Sequence, residues 1–163
     1  MPAVDEGDDA RFMREALALA AEAQALLEVP VGCVVVHDGV VVGRGYNRRE
    51  VDRDPLAHAE IRAIAEASRT LQRWRLSGTT LYVTLEPCFM CAGALVNARV
   101  DRLVFGALDQ KAGAVSSLSS VCSDARLNHR LQITAGVLEE ECGRVLKQFF
   151  SRLRNKRGSP EQS

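Results

Sequence analysis

Two short motifs that lie thirty residues apart restrict how this chain can fold. The first is His58-Ala59-Glu60, and the second is Pro87-Cys88-Phe89-Met90-Cys91. In the middle of a helix, His58 and Glu60 would point in nearly opposite directions, because residues two apart do not share a face. Both can serve one site only at the first turn, and Asp54-Pro55 just upstream supports a helix that begins there. The motifs therefore predict two helix N-termini that face each other across the edge of a sheet.

The residue types in these motifs are those of a metal site. Cys88 and Cys91 are three residues apart, so they share a helix face, and Pro87 suits the first helical position. The helix dipole at that end lowers the pKa of the thiols and favours metal binding. With His58 they form a set of three zinc ligands that leaves the fourth tetrahedral position to water, as in catalytic zinc sites. Zinc lowers the pKa of bound water, which makes its proton easier to remove. Glu60 is not one of the three ligands, so it can accept this proton and pass it to a substrate.

Three further cysteines leave other interpretations open. Cys33, Cys122 or Cys142 could complete a four-ligand structural zinc site, and the two motif cysteines alone could be a redox pair. Cys33 lies within an apolar run and Cys142 on the apolar stripe of the last helix, which favours core packing for both. For Cys122 the sequence does not decide.

The pattern of apolar residues predicts ten elements in the order α-β-β-α-β-α-β-(α)-β-α. The predicted helices cover residues 9–27, a segment from about 57, 88–98 and 138–153, with a helical turn near 118–122. The predicted strands cover residues 31–37, 40–43, 79–85, 102–107 and 131–137. This order implies a sheet with helices on both faces.

Length and composition are those of one globular domain. The chain has 163 residues, of which 47% are hydrophobic and 26% charged. We expect a domain of residues 1–163 with a core of about 9–154 and a mobile polar tail over 155–163. The acidic start and the lack of a long apolar run predict neither a signal peptide nor a membrane span. Five cysteines, an odd number, favour a reducing compartment such as the cytoplasm.

The segments around the two motifs closely resemble bacterial tRNA-specific adenosine deaminases. The resemblance runs from about residue 11 to residue 154 and is carried by residues 28–32 (EVPVG), 45–48 (GYNR), 54–61 (DPLAHAEI), 81–94 (LYVTLEPCFMCAGA), 104–107 (VFGA), 128–130 (NHR) and 149–150 (FF). It implies a three-layer α/β/α cytidine-deaminase-like fold with a five-stranded mixed sheet, and one zinc ion per subunit. It also implies a homodimer that converts adenosine to inosine at the wobble position of a tRNA anticodon, usually that of arginine tRNA with anticodon ACG.

The same resemblance implies substrate contacts. Asn47 would contact the flipped base or its ribose, and Asp109 the backbone beside it. The pocket walls would be Glu28, Pro30, Leu85 and Pro87, and the path of neighbouring nucleotides would be lined by Lys111, Asn128 and Phe149. Side-chain chemistry also allows simpler roles, because Asn47 could cap a turn and Phe149 could belong to the core.

The charge of the chain does not decide whether RNA is a partner. The net charge is zero, so any affinity for RNA must come from local charge. Residues 144–157 contain six Lys or Arg and no acid, but acidic residues at the start of a helix and basic ones at its end are also what the helix dipole favours. Two positions depart from the family pattern: Leu108 replaces a frequent Arg before Asp109, and Ala112 replaces a frequent Thr after Lys111.

Two other classes of function stay open at this point. The first is a deaminase of a free nucleobase or nucleoside, such as guanine or cytosine, on the same fold. The second is a non-catalytic subunit or RNA-binding module that zinc stabilises. An intact Glu60 disfavours the second class, because a structural zinc does not need that carboxylate.

Overall fold

The structure is a computed structural model that describes residues 6–157. Within this range, helices and strands follow one another as α1 (Glu6–Ala25), β1 (Gly32–His37), β2 (Val40–Tyr46), α2 (Ala59–Leu71), β3 (Thr79–Leu85), α3 (Phe89–Asn97), β4 (Arg102–Ala107), a 3₁₀ turn (Val121–Ser123), β5 (Gln132–Ala135) and α4 (Glu139–Arg157). The helices of this range include none with both the length and the apolar character that a membrane span requires.

The five strands of the described range form one mixed sheet in the order β2-β1-β3-β4-β5. Strand β1 runs antiparallel to both β2 and β3, whereas β3, β4 and β5 are parallel to one another. Side chains of successive strand residues point to opposite faces. Cys33 and Val35 accordingly pack with α2 and α3, and Val34 and Val36 pack with α1 and α4. The predicted three-layer α/β/α architecture is confirmed.

One edge of the sheet collects the segments that matter for function. Leu85, at the end of β3, pairs with Ala107, at the end of β4. Because β1 is antiparallel to β3, its first residue, Gly32, lies at the same edge, opposite Tyr46 at the end of β2. The segments before β1 and after β2, β3 and β4 therefore meet there, as ligand-binding loops do in open α/β sheets.

Several element boundaries differ from those predicted: helix α1, for example, spans Glu6–Ala25 instead of residues 9–27. Strand β2 continues to Tyr46, although glycines such as Gly45 usually weaken a strand. Helix α2 packs directly on this glycine, because a Cβ at Gly45 would collide with the carbonyl oxygen of Ala59. Strand β5 is shorter than predicted, at Gln132–Ala135. Helix α4 continues to Arg157, stabilised by basic residues in its last turn, so residues 155–157 are helical where a loose tail was predicted. Residues 158–163 of that tail, and residues 1–5, lie outside the described range.

Candidate metal centre and active site

The two sequence motifs lie at two helix N-termini, as their spacing predicts. His58 is the N-cap residue of α2 and Cys88 that of α3, and both have extended backbone conformations. Glu60 and Cys91 lie in the first turns of the same two helices. The prediction for Pro87 is wrong by two positions, because α3 begins at Phe89 and the proline precedes the N-cap. Pro87 instead ends the segment that leaves β3, and its carbonyl accepts a hydrogen bond from the amide of Ala114.

Three side chains converge with the spacing of a zinc site. The Nδ1 atom of His58 lies 3.6 Å from the Sγ atom of Cys88 and 3.5 Å from that of Cys91. All three donor atoms lie within 4.8 Å of one another. Tetrahedral zinc with Zn–S bonds of about 2.3 Å and Zn–N bonds of about 2.0–2.1 Å separates its donors by roughly 3.5–3.8 Å. The donor set and its spacing therefore fit one zinc ion.

The other cysteines do not complete this set. Among residues 6–157, the group of side chains close enough to share a metal consists of His58, Cys88 and Cys91. Cys33 is buried in the core on the α2 and α3 face of the sheet, and Cys142 is a residue of α4 that is buried in the core on the opposite face. The thiol of Cys122 lies 3.8 Å from the carbonyl oxygen of Ala92 in the apolar interior. All three act as small core residues, so the described part of the chain leaves a fourth coordination position open.

The electrostatics of the three donors favour a bound cation. A hydrogen bond from the Cys91 thiol and, to a smaller extent, the contact with His58 lower the pKa of Cys88 to about 4 against the opposing effect of burial. The pKa of Cys91 is raised, first by that same hydrogen bond to Cys88 and then by burial. The pKa of His58 is raised by its contact with Cys88. These shifts favour loss of a proton from Cys88, and a divalent cation would replace the proton that the two sulfur atoms share.

Glu60 is a buried carboxyl group beside these donors. Glu60 is 4% exposed and lines the pocket described below. Burial, the largest effect, and the negative charge on Cys88 together raise the pKa of Glu60 to about 7, against smaller opposing effects of hydrogen bonds and of His58. A carboxyl group with a pKa near neutrality can both accept and release a proton at physiological pH.

A pocket of about 210 Å³ opens above these side chains, at the edge of the sheet where β3 and β4 end. Its walls come from the segment before β1, the segment after β2, the start of α2, the end of β3 and the loop after β4. Most of the exposed wall is apolar. The lining residues are Val29, Val31, Asn47, Arg49, His58, Ala59, Glu60, Leu85, Glu86, Cys88, Asp109 and Ala112.

Three predicted contact residues outside the metal set line this pocket: Asn47, Leu85 and Asp109. The amide of Asn47 donates to the carbonyl oxygen of Val29 at 3.2 Å and accepts from the backbone N–H of Arg49 at 3.2 Å. Asn47 therefore fixes a turn and faces the pocket at the same time. The carboxylate of Asp109 likewise accepts from the amides of Lys111 and Ala112 at 3.1 and 3.2 Å.

The remaining predicted contact residues do not line the pocket. Glu28, Pro30 and Pro87, predicted as walls, each lie next in sequence to a lining residue but are themselves buried. The reason is visible for Glu28, whose carboxylate accepts from the amide of Glu50 at 2.9 and 3.1 Å. Lys111 and Asn128 are exposed, and Phe149 is half-buried on α4, where its ring centroid lies 5.4 Å from that of Phe150.

Sequence reasoning missed Glu86, a buried carboxylate at the pocket wall. Its two oxygens accept hydrogen bonds from four backbone amides and one hydroxyl, all in the loop after β4. Burial alone would raise the pKa of Glu86, but these bonds, led by that of the Ser117 hydroxyl, outweigh it and lower the pKa. The available signal was an acidic residue directly after a buried apolar strand and directly before Pro87.

Comparison with known proteins identifies the family. Residues 7–154 match the family model of the MafB19-like deaminases. The chain is 48% identical over 149 residues to a tRNA-specific adenosine deaminase of Bacillus subtilis, which covers 91% of this chain and 92% of the relative.

Two solved structures share the fold. One, from studies of A-to-I editing by tRNA:A34 deaminases at the wobble position, superposes with a TM-score of 0.80 at 44% identity and covers 83% of this chain and 99% of that one. The guanine deaminase of Nitrosomonas europaea superposes with a TM-score of 0.74 at 25% identity and covers 85% of this chain and 82% of that one. The much higher identity to the first group, over nearly the full length of both chains, decides between them: the chain belongs to the family of tRNA-specific adenosine deaminases.

Proposed function

We propose that this protein is a zinc-dependent hydrolase that converts adenosine to inosine at the wobble position of a tRNA anticodon. The observation that carries the proposal is the buried Glu60 carboxyl group in one pocket with a three-donor metal set. A structural zinc site would need a fourth protein ligand and no free acid. The relatives of this family are tRNA-specific adenosine deaminases, and one matching structure comes from work on tRNA:A34 deaminases.

In this proposal His58, Cys88 and Cys91 hold the zinc ion, and Glu60 moves the protons. Zinc bound there acts as a Lewis acid that brings the pKa of water toward neutrality. Glu60 accepts a proton from the attacking water and delivers it to the ring nitrogen next to the amino-bearing carbon of adenine. Glu60 then carries the remaining proton of the attacking oxygen to the amino group, the carbon–nitrogen bond breaks, and ammonia leaves as the carbonyl of inosine forms. Water is consumed, and inosine is formed.

The pocket suits a base that has been turned out of an RNA loop. Apolar side chains of Val29, Val31 and Leu85 offer surfaces for the flat faces of a purine. Asn47 lies at the wall with an amide that can pair with ring nitrogens or ribose hydroxyls. The exposed Arg49 is a cation at the rim, where phosphates of the loop would pass.

The finer features of the substrate follow from family resemblance. We propose the arginine tRNA with anticodon ACG as the substrate, with Asp109, Lys111, Asn128 and Phe149 along the path of the loop. Lys111 and Asn128 are exposed, as such contacts require. Phe149 is half-buried on α4, so only part of its ring is accessible to a nucleotide.

We also propose that the enzyme works as a homodimer in the cytoplasm. The apolar residues Phe89 and Leu118 are both more than half exposed, at 53% and 54%, on α3 and on the loop that follows β4. If these side chains belong to one apolar surface in the dimer, contact with a second copy would remove them from water. All five cysteines are free thiols, as a reducing compartment would keep them.

The test is inosine formation by purified, zinc-loaded protein. The substrates are an anticodon stem-loop with ACG in its loop, the same stem-loop with another base at the wobble position, free adenosine, cytidine and guanine. We expect inosine in the ACG stem-loop and no turnover of the free compounds. Turnover of guanine with an unreacted stem-loop would instead place the chain with the guanine deaminases, which share this fold.

A zinc measurement accompanies the activity assay. We expect one zinc ion per subunit in the intact protein, and loss of that zinc in a Cys91→Ala variant because one of three protein ligands is removed. A Cys122→Ala variant is the matched control, since its thiol lies in the core outside the metal set. Equal zinc loss in both variants would contradict the assigned ligands.

A further inference from the structure

Glu86 is a pocket-lining carboxylate to which the proposed function gives neither a proton-transfer role nor a substrate contact. It is 2% exposed and follows β3 directly, two residues before Cys88. A buried carboxylate without a cation needs hydrogen-bond donors to offset its lost hydration. Here the donors come from one segment, the loop of residues 109–117 that follows β4.

The two carboxylate oxygens hold the two ends of this loop. At the first end, the amide of Asp109 donates to Oε1 at 3.0 Å. At the second end, the amides of Val115, Ser116 and Ser117 donate to Oε2 at 3.1, 2.8 and 2.9 Å. The hydroxyl of Ser117 adds a bond to Oε1 at 2.5 Å. Charged acceptors give stronger hydrogen bonds than neutral ones, so Glu86 fixes the positions of both ends of the loop.

The middle of the loop is shaped around this carboxylate. A Cβ at Gly113 would collide with the carboxylate atoms of Glu86, so a side chain does not fit there. Gly113 also pairs with Cys88 in an isolated β-bridge, which brings the loop against the metal set. Asp109, at the first end of the loop, and Ala112 line the pocket together with the apolar residues Val29 and Leu85.

We propose that Glu86 is a positioning residue that sets the substrate-binding wall of the pocket by fixing residues 109–117. It acts through Asp109 and Ala112 on the binding of the RNA loop and takes no part in proton transfer. This inference rests on the proposed tRNA deaminase function. Loss of the bond to Asp109 would let that wall move, and an error of about 1 Å in such a contact costs up to roughly a hundredfold in kcat/KM, which a binding wall loses mainly through KM.

The Glu86→Gln variant separates this role from a general loss of structure. Glutamine keeps one carbonyl oxygen, which can serve the three amides at the second end of the loop. Its amide group then lies at the other end, where the Ser117 hydroxyl can turn to accept but the Asp109 amide can only donate. The substitution therefore releases Asp109 and leaves the remaining bonds in place. Ser117→Ala is the matched control, because it removes a donor to the same oxygen while Asp109 stays bound.

The experiment measures kcat and KM on the ACG stem-loop, zinc per subunit and the thermal midpoint for wild type, Glu86→Gln and Ser117→Ala. We expect Glu86→Gln to raise KM by roughly ten- to a hundredfold, to lower kcat by a smaller factor and to keep its zinc. Ser117→Ala should change KM by less than about threefold, since its lost hydroxyl bond is one of several to the same group. If Glu86→Gln does not fold, Gly113→Ala carries the test, with the same expected rise in KM.

Each other result overturns the inference. An unchanged KM, a loss of zinc, or a fall in kcat larger than the rise in KM would show that Glu86 acts elsewhere. An equal effect in Ser117→Ala would show that the carboxylate merely stabilises the loop. A wild-type protein that makes no inosine in the stem-loop would contradict the proposed function itself, an outcome distinct from these because it appears without any substitution.

Discussion

The two faces of the sheet bury acidic side chains in opposite ways. On the face covered by α1 and α4, Asp9 is buried against Arg102. On the face covered by α2 and α3, Glu60 is buried beside a metal-ligand set with no cationic side chain bound to it in the described residues. The difference separates a carboxylate that stabilises the fold from one that can exchange a proton.

Asp9 is held as a carboxylate by a dense set of donors. Both Arg102 terminal nitrogens donate to it, at 2.9 and 2.7 Å, and the hydroxyl of Tyr82 donates at 2.8 Å. Arg102 also donates to the hydroxyl oxygen of Thr134 on β5. These contacts join α1 to three neighbouring strands. Burial alone would raise the pKa of Asp9, but the bonds from Arg102 and Tyr82 outweigh it and lower the pKa.

For Glu60, burial outweighs the hydrogen bonds in setting the pKa, the reverse of what holds for Asp9. Burial dominates and raises the pKa of Glu60 to about 7, so its charged form carries an energetic cost in this environment. Such a cost is retained in a fold where the group has a chemical task, and buried acids with shifted pKa values are found mainly at such sites. We therefore expect substitution of Glu60 to lower activity but not stability, and substitution of Asp9 to lower stability but not activity.

The largest expected effect is the loss of turnover in Glu60→Gln. Glutamine keeps the shape of the side chain but cannot carry protons, so we expect kcat on the stem-loop to fall by about 10²–10⁴-fold. Zinc per subunit should stay at the wild-type value because Glu60 is not one of the three ligands. The unfolding free energy should not fall, since an acid that is costly to bury is replaced by a neutral group.

Stem-loop activity within a fewfold of wild type in Glu60→Gln would remove Glu60 from the proton-transfer role. Glu66→Gln is a matched control on the same helix, because Glu66 lies further along α2 and does not line this pocket. Its kcat should equal that of wild type.

The second effect, on stability, comes from Asp9→Ala. It leaves the buried guanidinium of Arg102 without its carboxylate, and we expect the unfolding free energy to fall by about 3–5 kcal/mol. Chemical unfolding with urea measures this, with the exposed Asp8→Ala as control and an expected loss below about 0.5 kcal/mol. At temperatures where Asp9→Ala remains folded, its kcat should match wild type. A loss of kcat there would mean that the two faces are coupled.

The third effect is the pH dependence of the contribution that Asp9 makes to the unfolding free energy. The pKa of Asp9 in the folded protein lies below its ordinary value of 3.8, so folding favours the charged form. The resulting stabilisation is complete at pH values well above 3.8 and is lost as the pH falls through the lower folded value. Urea unfolding of wild type and Asp9→Asn should therefore show a stability gap that is full near about pH 6 and narrows near about pH 3. A gap that is constant across this range would contradict the pairing.

The same contrast explains what the sequence could predict. The spacing of His58 and Glu60 has one geometric solution at a helix N-terminus, so the metal set was predictable from local rules, as were the strands built from apolar runs. The pair of Asp9 and Arg102 joins residues 93 positions apart and depends on how α1 lies on the sheet. The role of Glu86 depends in the same way on a loop that starts 23 residues later. Neither leaves a local pattern.

The smallest effect concerns a single bond within the charged pair. Tyr82→Phe removes the hydroxyl that donates to Asp9 while both Arg102 bonds remain, so we expect a loss of about 1 kcal/mol in the unfolding free energy. The ring itself stays packed at 5.2 Å from Phe12, which limits any change to the lost bond. In the Asp9→Ala background, the same substitution should cost less, because its partner is already absent. Equal costs in both backgrounds would show that the hydroxyl stabilises the fold through some group other than Asp9, and that the buried carboxylate on this face depends on Arg102 alone.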